Sequence, residues 1–546
     1  MDKLLARNPL NTGTFPTQNA PSKLLSVNSI PLLVEGFIFL VVLNIIATVL
    51  YNVYFHPLSK YPGPKYAATT NWIWHIITIK GDQPHWVRKQ HEKYGDLVRV
   101  GPDRLSFIDP QAWKDIYGHR SAGRQENCNE RASASKDPNT KEGENLSRGF
   151  SLSGYKKRDQ RFYGKEENGE DTLITTASAA DHGRLRKIFS NAFSDRALKL
   201  QEPLIKKYVD QLISNIHRLA KEDKDVKLDM VKQYNFTTFD IMGELAFGEP
   251  LGMLDKGEYT PWVTATFNNV KAGVIARMGL EYPTLRHIMS VLMPKSLSDS
   301  RKMHFQHSVE RVDRRLSKGI TKDKPDIWNL VLEKGQDQLS KGQMYANSAL
   351  FMLAGTETTA TLLSGLTYHL LKNPEKLQRA VDEIRALAEH ELTLEQLPRL
   401  PYLNACFEEG LRLYPPIPVG MPRQMPAGGN VVCGEWLPEN TIVMVPQVAA
   451  YLSARNFKDA DAFIPERWLP DSGYGSDRKE TLQPFLFGPR NCVGKNLAYH
   501  EMRIILAKIL WHFDLELCPE SSDWANQKVW IVWEKPALLC KVKPVR

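Results

Sequence analysis

The sequence predicts a mainly α-helical protein with small β-sheets, built as one large domain behind a single transmembrane helix. Three observations support this prediction. An uncharged apolar run lies near the amino terminus, apolar residues recur at helical spacing along most of the remaining chain, and strand-like stretches are few and short. By length alone, the 546 residues could hold about three or four domains, but no internal repeat or clean linker divides them.

The apolar run covers residues 36–55, GFIFLVVLNIIATVLYNVYF. About 20 apolar residues is the length that a helix needs to cross a bilayer. A polar tail precedes the run and no small-residue cleavage site follows it, which argues against a secretory signal. A buried core helix is the alternative. We expect a tail over 1–29, an anchor over 30–55, a hinge over 56–66, where HPLSKYPGPK holds three prolines, and one domain over 67–546.

Helical patterns dominate the domain. The longest apolar one covers 342–371, and Asn373-Pro374 should end it. Further helical patterns lie at 182–220 and 401–414, whereas strand-like pieces such as TIVMVPQVA are a minority. The stretch 136–171 differs from these because it is charged, rich in Gly and Ser, and poor in aliphatic residues. It should be a long exposed loop inside the domain.

Charge and cysteine usage narrow the class of protein. The formal net charge of +9 favours an acidic protein surface or anionic lipid as a partner. Nucleic acid is not expected, since the chain has no dense Lys/Arg run. The six cysteines are scattered and form no CxxC pair, so we expect neither a disulfide framework nor a structural zinc site.

The stretch FLFGPRNCVG holds Cys492. A cysteine binds a metal as the thiolate, which a cationic centre stabilises. Gly488 and Gly494 would allow a tight loop and the close approach of a flat ring. Arg490 could pair with a carboxylate of the ligand, and Phe485 could shield the sulfur. From the local chemistry alone, a buried cysteine in a turn is an equal alternative.

The spacing F-x-x-G-x-R-x-C-x-G resembles the haem-binding signature of the cytochrome P-450 family, and every fixed position is present. The resemblance covers nearly the whole chain and implies the cytochrome P-450 fold. It also implies that haem b is the cofactor and that Cys492 is the axial ligand of its iron.

A second group of polar residues, AGTETT, lies midway along the most apolar helix. Buried carboxylates and hydroxyls are costly without a purpose, and one purpose is to deliver the protons that dioxygen reduction consumes. The small pair Ala354-Gly355 would leave room for dioxygen. The alternative is that the threonines bond back to the preceding helical turn. The run resembles the family motif A-G-x-D/E-T, which implies that Thr358 is the key alcohol and Glu357 the acid.

A third motif is ExxR at Glu409 and Arg412, which share one face of a helix. LYPP follows it and PERW lies downstream, as in the same family. The resemblance implies a structural Glu–Arg–Arg network whose third member is Arg467.

Two further arginines are candidates for the haem propionates. Arg186 lies in DHGRLRKIF, which resembles a family helix that commonly reads W-x-x-x-R, with His182 at the Trp position. Arg423 lies where many members place another propionate partner. Solvated surface arginines are the alternative in both cases.

The segments HPLSKYPGPK, DIYG and PERWLP resemble fungal microsomal members that act on secondary metabolites such as terpenoids or polyketides. The resemblance implies a monooxygenase that hydroxylates or epoxidises a lipophilic small molecule. The candidate pocket residues are apolar: Ile417, Val419, Met421, Ile531, Val532, Trp533 and the helix before Gly355. Electrons would come from NADPH through a flavoprotein reductase, with cytochrome b5 as an optional donor. The resemblance places the protein in the endoplasmic-reticulum membrane, single-pass, with its catalytic domain on the cytosolic face.

Two other functional classes stay open. One is a haem enzyme that rearranges or dehydrates its substrate without external electrons, and the other is a haem sensor or carrier. The Glu357–Thr358 pair argues against both, because neither class needs protons for dioxygen reduction. NADPH dependence of turnover separates the first class from a monooxygenase.

Overall fold

The computed structural model describes residues 29–119, 157–159, 161–264, 273–274, 277–278, 281–282, 295–320, 325–333 and 339–546. Within these ranges the chain is mostly helical, as predicted. The α-helices are α1 (Ser29–Leu50), α2 (Lys65–Thr69), α3 (Asn71–Ile79), α4 (Gln83–Tyr94), α5 (Gln111–Tyr117), α6 (Ala179–Ser190), α7 (Asp195–Glu222), α8 (Met230–Phe247), α9 (Met253–Lys256), α10 (Lys295–Ser317), α11 (Ile327–Leu332), α12 (Lys341–Leu371), α13 (Pro374–Arg385), α14 (Pro401–Leu413), α15 (Gln447–Tyr451) and α16 (Lys495–His512).

The strands are short and form small sheets. They are β1 (Leu97–Gly101), β2 (Arg104–Phe107), β3 (Lys157–Arg158), β4 (Lys227–Asp229), β5 (Arg423–Gln424), β6 (Asn430–Val432), β7 (Glu435–Leu437), β8 (Ile442–Met444), β9 (Phe513–Leu517), β10 (Val529–Trp530), β11 (Val532–Trp533) and β12 (Leu539–Pro544). One sheet has the order β1-β2-β8-β5-β3, in which only the β2–β8 pair is parallel. A second has the order β4-β12-β9, and β6-β7 and β10-β11 are separate pairs.

Helix α12 is the central element of the domain. It begins at a capping box, in which Ser340 and Gln343 satisfy each other's backbone N–H groups. Most of its side chains are buried, because α8, α10, α14 and α16 surround it. Gly365 is required for this packing, since a Cβ there would collide with the ring of Tyr414 on the segment after α14. The helix ends at Leu371, just before Asn373-Pro374 as predicted.

The amino-terminal helix projects from the domain. A turn of π-helix, Tyr51–Phe55, extends α1, and the span Val34–Phe55 is long and apolar enough to cross a membrane, with none of its side chains buried. The proline-rich hinge is docked onto the domain rather than loose. Leu58 is fully buried, and the Arg99 N–H of β1 donates to the Pro62 carbonyl over 2.7 Å.

Deleting residues 2–55 is expected to release most of the protein from membranes, while the truncated domain keeps the haem absorption spectrum that the resemblance implies. The reason is that most of the exposed large hydrophobic side chains lie on the deleted helix, whereas the packed hinge begins after it. Membrane fractionation after a salt wash measures the effect. Deletion of residues 2–28 is the matched control and should leave the protein with the membrane. A 2–55 deletion that stays bound would show that the domain itself holds a larger membrane contact.

The prediction of an exposed loop over 136–171 is wrong for residues 157–159 and for Tyr163, whereas residues 164–171 form a loop that is exposed or half-exposed, as predicted. Residues 136–156 and 160 lie outside the described residues. From Lys157 onward the chain pairs with β5, and the side chains of Arg158 and Tyr163 are buried. The composition of this stretch did not predict the burial, because the burial depends on contacts with Arg423. Arg158 pairs with Arg423 across the two strands, and the Arg423 guanidinium packs on the Tyr163 ring. The Arg158 guanidinium also lies 4.9 Å from the centre of that ring.

Candidate active site

The Cys492 loop is shaped by its glycines and by one backbone hydrogen bond. A short 3-10 turn covers Gly488–Arg490, and the Cys492 N–H then donates to the Phe485 carbonyl over 2.8 Å. Gly488 has a φ of 79°, and a Cβ at this position would collide with the Tyr117 carbonyl, so only glycine fits. Gly494 precedes α16, and a Cβ added there would make ordinary van der Waals contact with the Phe193 ring at 3.8 Å.

The Cys492 side chain faces an internal cleft. The Cys492 side chain is accessible from this cleft, but protein atoms surround it and keep it from bulk water. This burial raises the pKa of its thiol. The backbone N–H of Gly494 and the charges of Arg186 and Lys495 oppose the rise. Burial prevails, so the protein alone does not make this cysteine a thiolate. A bound metal cation would supply the missing stabilisation.

Five basic side chains gather beside this cleft: Arg158, His182, Arg186, Arg423 and Arg490. Burial, followed by the charges of the four arginines, lowers the pKa of His182 to about 3, so its imidazole is neutral. Burial together with neighbouring positive charges lowers the pKa of Arg158 to about 9 and that of Arg490 to about 10. Within the described ranges, no Asp or Glu forms a salt bridge with any of these arginines. Buried cations are normally paired, so the cluster fits an anionic ligand.

The arginines of the cluster also bind the loops around the cleft. Arg186 donates to the backbone and side-chain oxygens of Asn491, next to the cysteine. Arg490 donates to the carbonyls of residues 176–178, which lead into α6. Arg490 therefore has a structural role in addition to its predicted pairing with a carboxylate of the ligand. Arg158 keeps a buried Nε without a partner among the described residues.

These observations fit haem. A thiol that opens onto an internal cleft suits the iron, and a buried group of arginines around a neutral histidine suits the two propionates. Arg158 belongs to this group but was missed from the sequence, because it lies in the stretch that composition assigned to an exposed loop.

The AGTETT residues lie midway along α12, and the contacts of Thr358 and Gly355 bear on the two interpretations of this motif. The Thr358 hydroxyl donates to the Ala354 carbonyl over 2.7 Å, which is the back-bonded arrangement considered as the alternative. Its oxygen can still accept a hydrogen bond from water. An added Cβ at Gly355 would collide with the Met242 methyl group of α8. On that side Gly355 therefore permits helix packing rather than leaving room for dioxygen.

Glu357 is held by a residue that the sequence analysis missed. Its carboxylate is 4% exposed and accepts hydrogen bonds from the Lys535 ammonium and from the Thr361 hydroxyl. Lys535 also donates to Thr361 over 2.7 Å. The second carboxylate oxygen of Glu357 has no partner among the described residues. Lys535 follows β11 and lies far from α12 in the sequence, so no local pattern could have paired the two.

Glu501 is a second buried acid beside this helix and was also missed. It lies on α16, and burial raises the pKa of its carboxyl to about 8 despite a hydrogen bond from the Thr359 side chain. One of its oxygens has no partner in the described part of the chain. The sequence signal was a single acid inside the apolar run NLAYHEMRIILAKIL. At neutral pH this acid is largely protonated and can donate a hydrogen bond.

Glu501→Gln is expected to stabilise the protein above pH 5 by an amount that grows up to about pH 8. A raised pKa means that folding favours the protonated acid, so stability is complete below about pH 4.5 and is lost as the pH rises toward 8. The gain at pH 7 should be about 3 kcal/mol. Thermal unfolding of both proteins from pH 5 to 9 measures it. The control is Glu516→Gln on the exposed face of β9. A gain that is independent of pH would contradict the protonated acid.

The predicted Glu–Arg–Arg network is present and fully buried. Glu409 accepts two hydrogen bonds from Arg412, at 2.7 and 2.9 Å, and one from Arg467 at 3.1 Å. Burial alone would raise the pKa of Glu409, but the two arginines lower it, so the group is a carboxylate. The structure adds Trp468, whose indole N–H donates to Glu409 over 3.0 Å, and Asp477, which pairs with Arg467.

A cavity opens on the far side of the β3–β5 pair. Two of the candidate pocket residues, Val419 and Ile531, line it together with Met444 of β8. The other candidates do not line it: Ile417, Met421, Val532, Trp533 and the part of α12 before Gly355. Its apolar wall ends at Pro422, directly before Arg423 of the basic cluster. This apolar wall suits a lipophilic molecule.

Comparison with known proteins gives a consistent result. A sequence model described as Cytochrome P450 matches residues 151–542. The chain is 48% identical over 501 residues to "Cytochrome P450 monooxygenase FUM2" of Gibberella moniliformis, covering 91% of this chain and 100% of the relative. It is 43% identical to "Cytochrome P450 monooxygenase efuB" of Hormonema carpetanum, covering 92% and 94%. It is also 43% identical to "Cytochrome P450 monooxygenase AMT3" of Alternaria alternata, covering 90% and 95%.

Proposed function

Because the chain belongs to the cytochrome P450 family, we propose that Cys492 is the axial ligand of a haem b and that the basic cluster binds its propionates. The protein is a monooxygenase of this family. The observation that carries the assignment of the site is the accessible Cys492 thiol beside four arginines that form no salt bridge with a carboxylate of the described residues. Two of these arginines, Arg158 and Arg423, are buried. Haem supplies the activation of dioxygen, and the protein supplies binding, orientation and protons.

Each basic residue has a distinct task in this proposal. Arg158 and Arg423 approach from the β3–β5 pair, whereas Arg186 and His182 approach from α6. The neutral His182 would donate one ring N–H to a propionate carboxylate, and the arginines would neutralise the negative charge of that carboxylate. Arg186 also holds Asn491, so the residue before the ligand cysteine is positioned by the same side chain.

Protons are delivered from α12. The Thr358 oxygen, whose own proton is donated to the Ala354 carbonyl, accepts a hydrogen bond from a water and so positions it. Glu357 is the acid that replenishes this water, through the carboxylate oxygen that Lys535 does not bind. Lys535 positions the acid and keeps its charge compensated while the proton is absent.

Electrons come from NADPH through a flavoprotein reductase that docks on a basic face, with cytochrome b5 as an optional second donor. The protein is held in the endoplasmic-reticulum membrane, single-pass, with its domain on the cytosolic side. The apolar span Val34–Phe55 supports the membrane anchor in this proposal. The substrate is a lipophilic small molecule of fungal secondary metabolism, such as a terpenoid or polyketide, that is hydroxylated or epoxidised. The apolar wall of the cavity supports this class.

Thr358→Val tests the proposed proton route. The variant should bind haem and substrate normally, but product formed per NADPH consumed should fall by roughly one to two orders of magnitude while hydrogen peroxide rises. The matched control is Thr356→Val on the same helix, whose hydroxyl donates to the Met352 carbonyl and is fully buried. Product and peroxide are assayed in parallel. An unchanged ratio for Thr358→Val would leave its hydroxyl with a packing role only, and turnover without NADPH would favour the redox-independent class.

A further inference from the structure

The cavity lined by Val419, Met444 and Ile531 is also lined by charged side chains, which we call its ionic wall. Val274, Arg277 and Glu281 follow one another at helical spacing and all line the cavity. Arg104, Arg161 and Asp159 complete this wall from the sheet side. A pocket for a purely apolar substrate would not need three arginines, so the wall requires an explanation.

The two carboxylates of the wall are already paired. Glu281 accepts hydrogen bonds from Arg104 and, over 2.8 Å, from His75. These partners overcome the effect of burial and hold the pKa of Glu281 well below its usual range. Asp159 accepts a hydrogen bond from Arg161 over 3.0 Å.

Arg277 is the third arginine and has no carboxylate partner in the part of the chain that the structure describes. Its guanidinium carbon lies 4.2 Å from the centre of the Phe162 ring, so the group is supported by a cation–π contact. Burial lowers the pKa of Arg277 to about 10, which leaves it charged at neutral pH. Among the described residues, Arg277 is therefore the arginine of the lining whose guanidinium has no carboxylate partner.

We propose that Arg277 binds a carboxylate of the substrate, so that the enzyme acts on an amphipathic carboxylic acid. The inference rests on the proposed function and names its substrate class. A guanidinium offers two parallel N–H donors that match a carboxylate, and partial removal from water strengthens the pair. The aliphatic body of the acid would then lie along Val419, Met444 and Ile531 of the same cavity.

Calorimetric titration of the full-length protein in lipid nanodiscs tests the proposal. The ligands are saturated fatty acids of increasing chain length from octanoate to octadecanoate, each compared with its methyl ester, and heats from empty nanodiscs are subtracted. The parent protein should bind the best-fitting acid about 10- to 100-fold more tightly than its ester, as expected for charge-assisted hydrogen bonds. Arg277→Met should remove this preference by weakening the acid and leaving the ester within about twofold. Arg277→Lys keeps the charge without the paired donors and should retain part of the preference.

Arg218→Met is the matched control, because Arg218 is an exposed arginine of α7 that pairs only with Glu222 at the surface. It should leave both affinities unchanged. Equal binding of acid and ester to the parent at every length, or no binding of any acid, would overturn the proposal. Equal weakening of acid and ester by Arg277→Met would do the same. The titration needs neither NADPH nor turnover, so its failure is distinguishable from a failure of the proposed monooxygenase reaction.

Discussion

Cys492→Ser is expected to abolish monooxygenase turnover and the red-shifted Soret band of the reduced carbon monoxide complex. A serine hydroxyl is not deprotonated at neutral pH and cannot replace the thiolate as an electron-donating ligand. The fold should survive, because the Cys492 backbone N–H, rather than its sulfur, makes the hydrogen bond that closes the loop onto Phe485. The measurements are the reduced carbon monoxide spectrum and product formation with a reductase present.

The control for this prediction is Cys433→Ser, which changes a cysteine in the turn between β6 and β7, away from the cleft. It should keep the red-shifted band and the turnover of the parent protein. A red-shifted band that persists in Cys492→Ser would contradict the assignment of the ligand. Loss of the band in Cys433→Ser would show that the spectrum reports general instability instead.

Local patterns in the sequence located much of the fold. The apolar run predicted a helix over 30–55, and α1 with its π-helical turn covers Ser29–Phe55. The apolar pattern over 342–371 differs from α12 by one residue at its start. Such elements are predictable because their hydrophobic periodicity and their proline and cap signals lie within the element itself.

The parts that the sequence did not reveal depend on contacts between distant segments. Lys535 reaches Glu357 from 178 positions away, and nothing around either residue points to the other. Arg158 was assigned to a loop by composition, although pairing with β5 buries it. Glu501 was visible only as an acid in an apolar helix, and its raised pKa became apparent from its surroundings. In each case tertiary burial, rather than local propensity, sets the property.

Glu409→Gln is expected to destabilise the domain by about 3–5 kcal/mol, because it leaves two buried arginines without their shared carboxylate. Arg412 and Arg467 are both fully buried, and Glu409 also accepts the Ile464 N–H over 2.8 Å and the Trp468 indole N–H. A neutral amide can keep some of these contacts but cannot compensate the charges. The yield of haem-loaded protein and its thermal unfolding measure the loss.

The control is Glu222→Gln, which breaks the exposed Arg218 pair and should cost less than about 0.5 kcal/mol. If the network is structural, the protein that still folds should form product per NADPH at the parent ratio. A normal yield with a changed ratio would instead place Glu409 in the proton route.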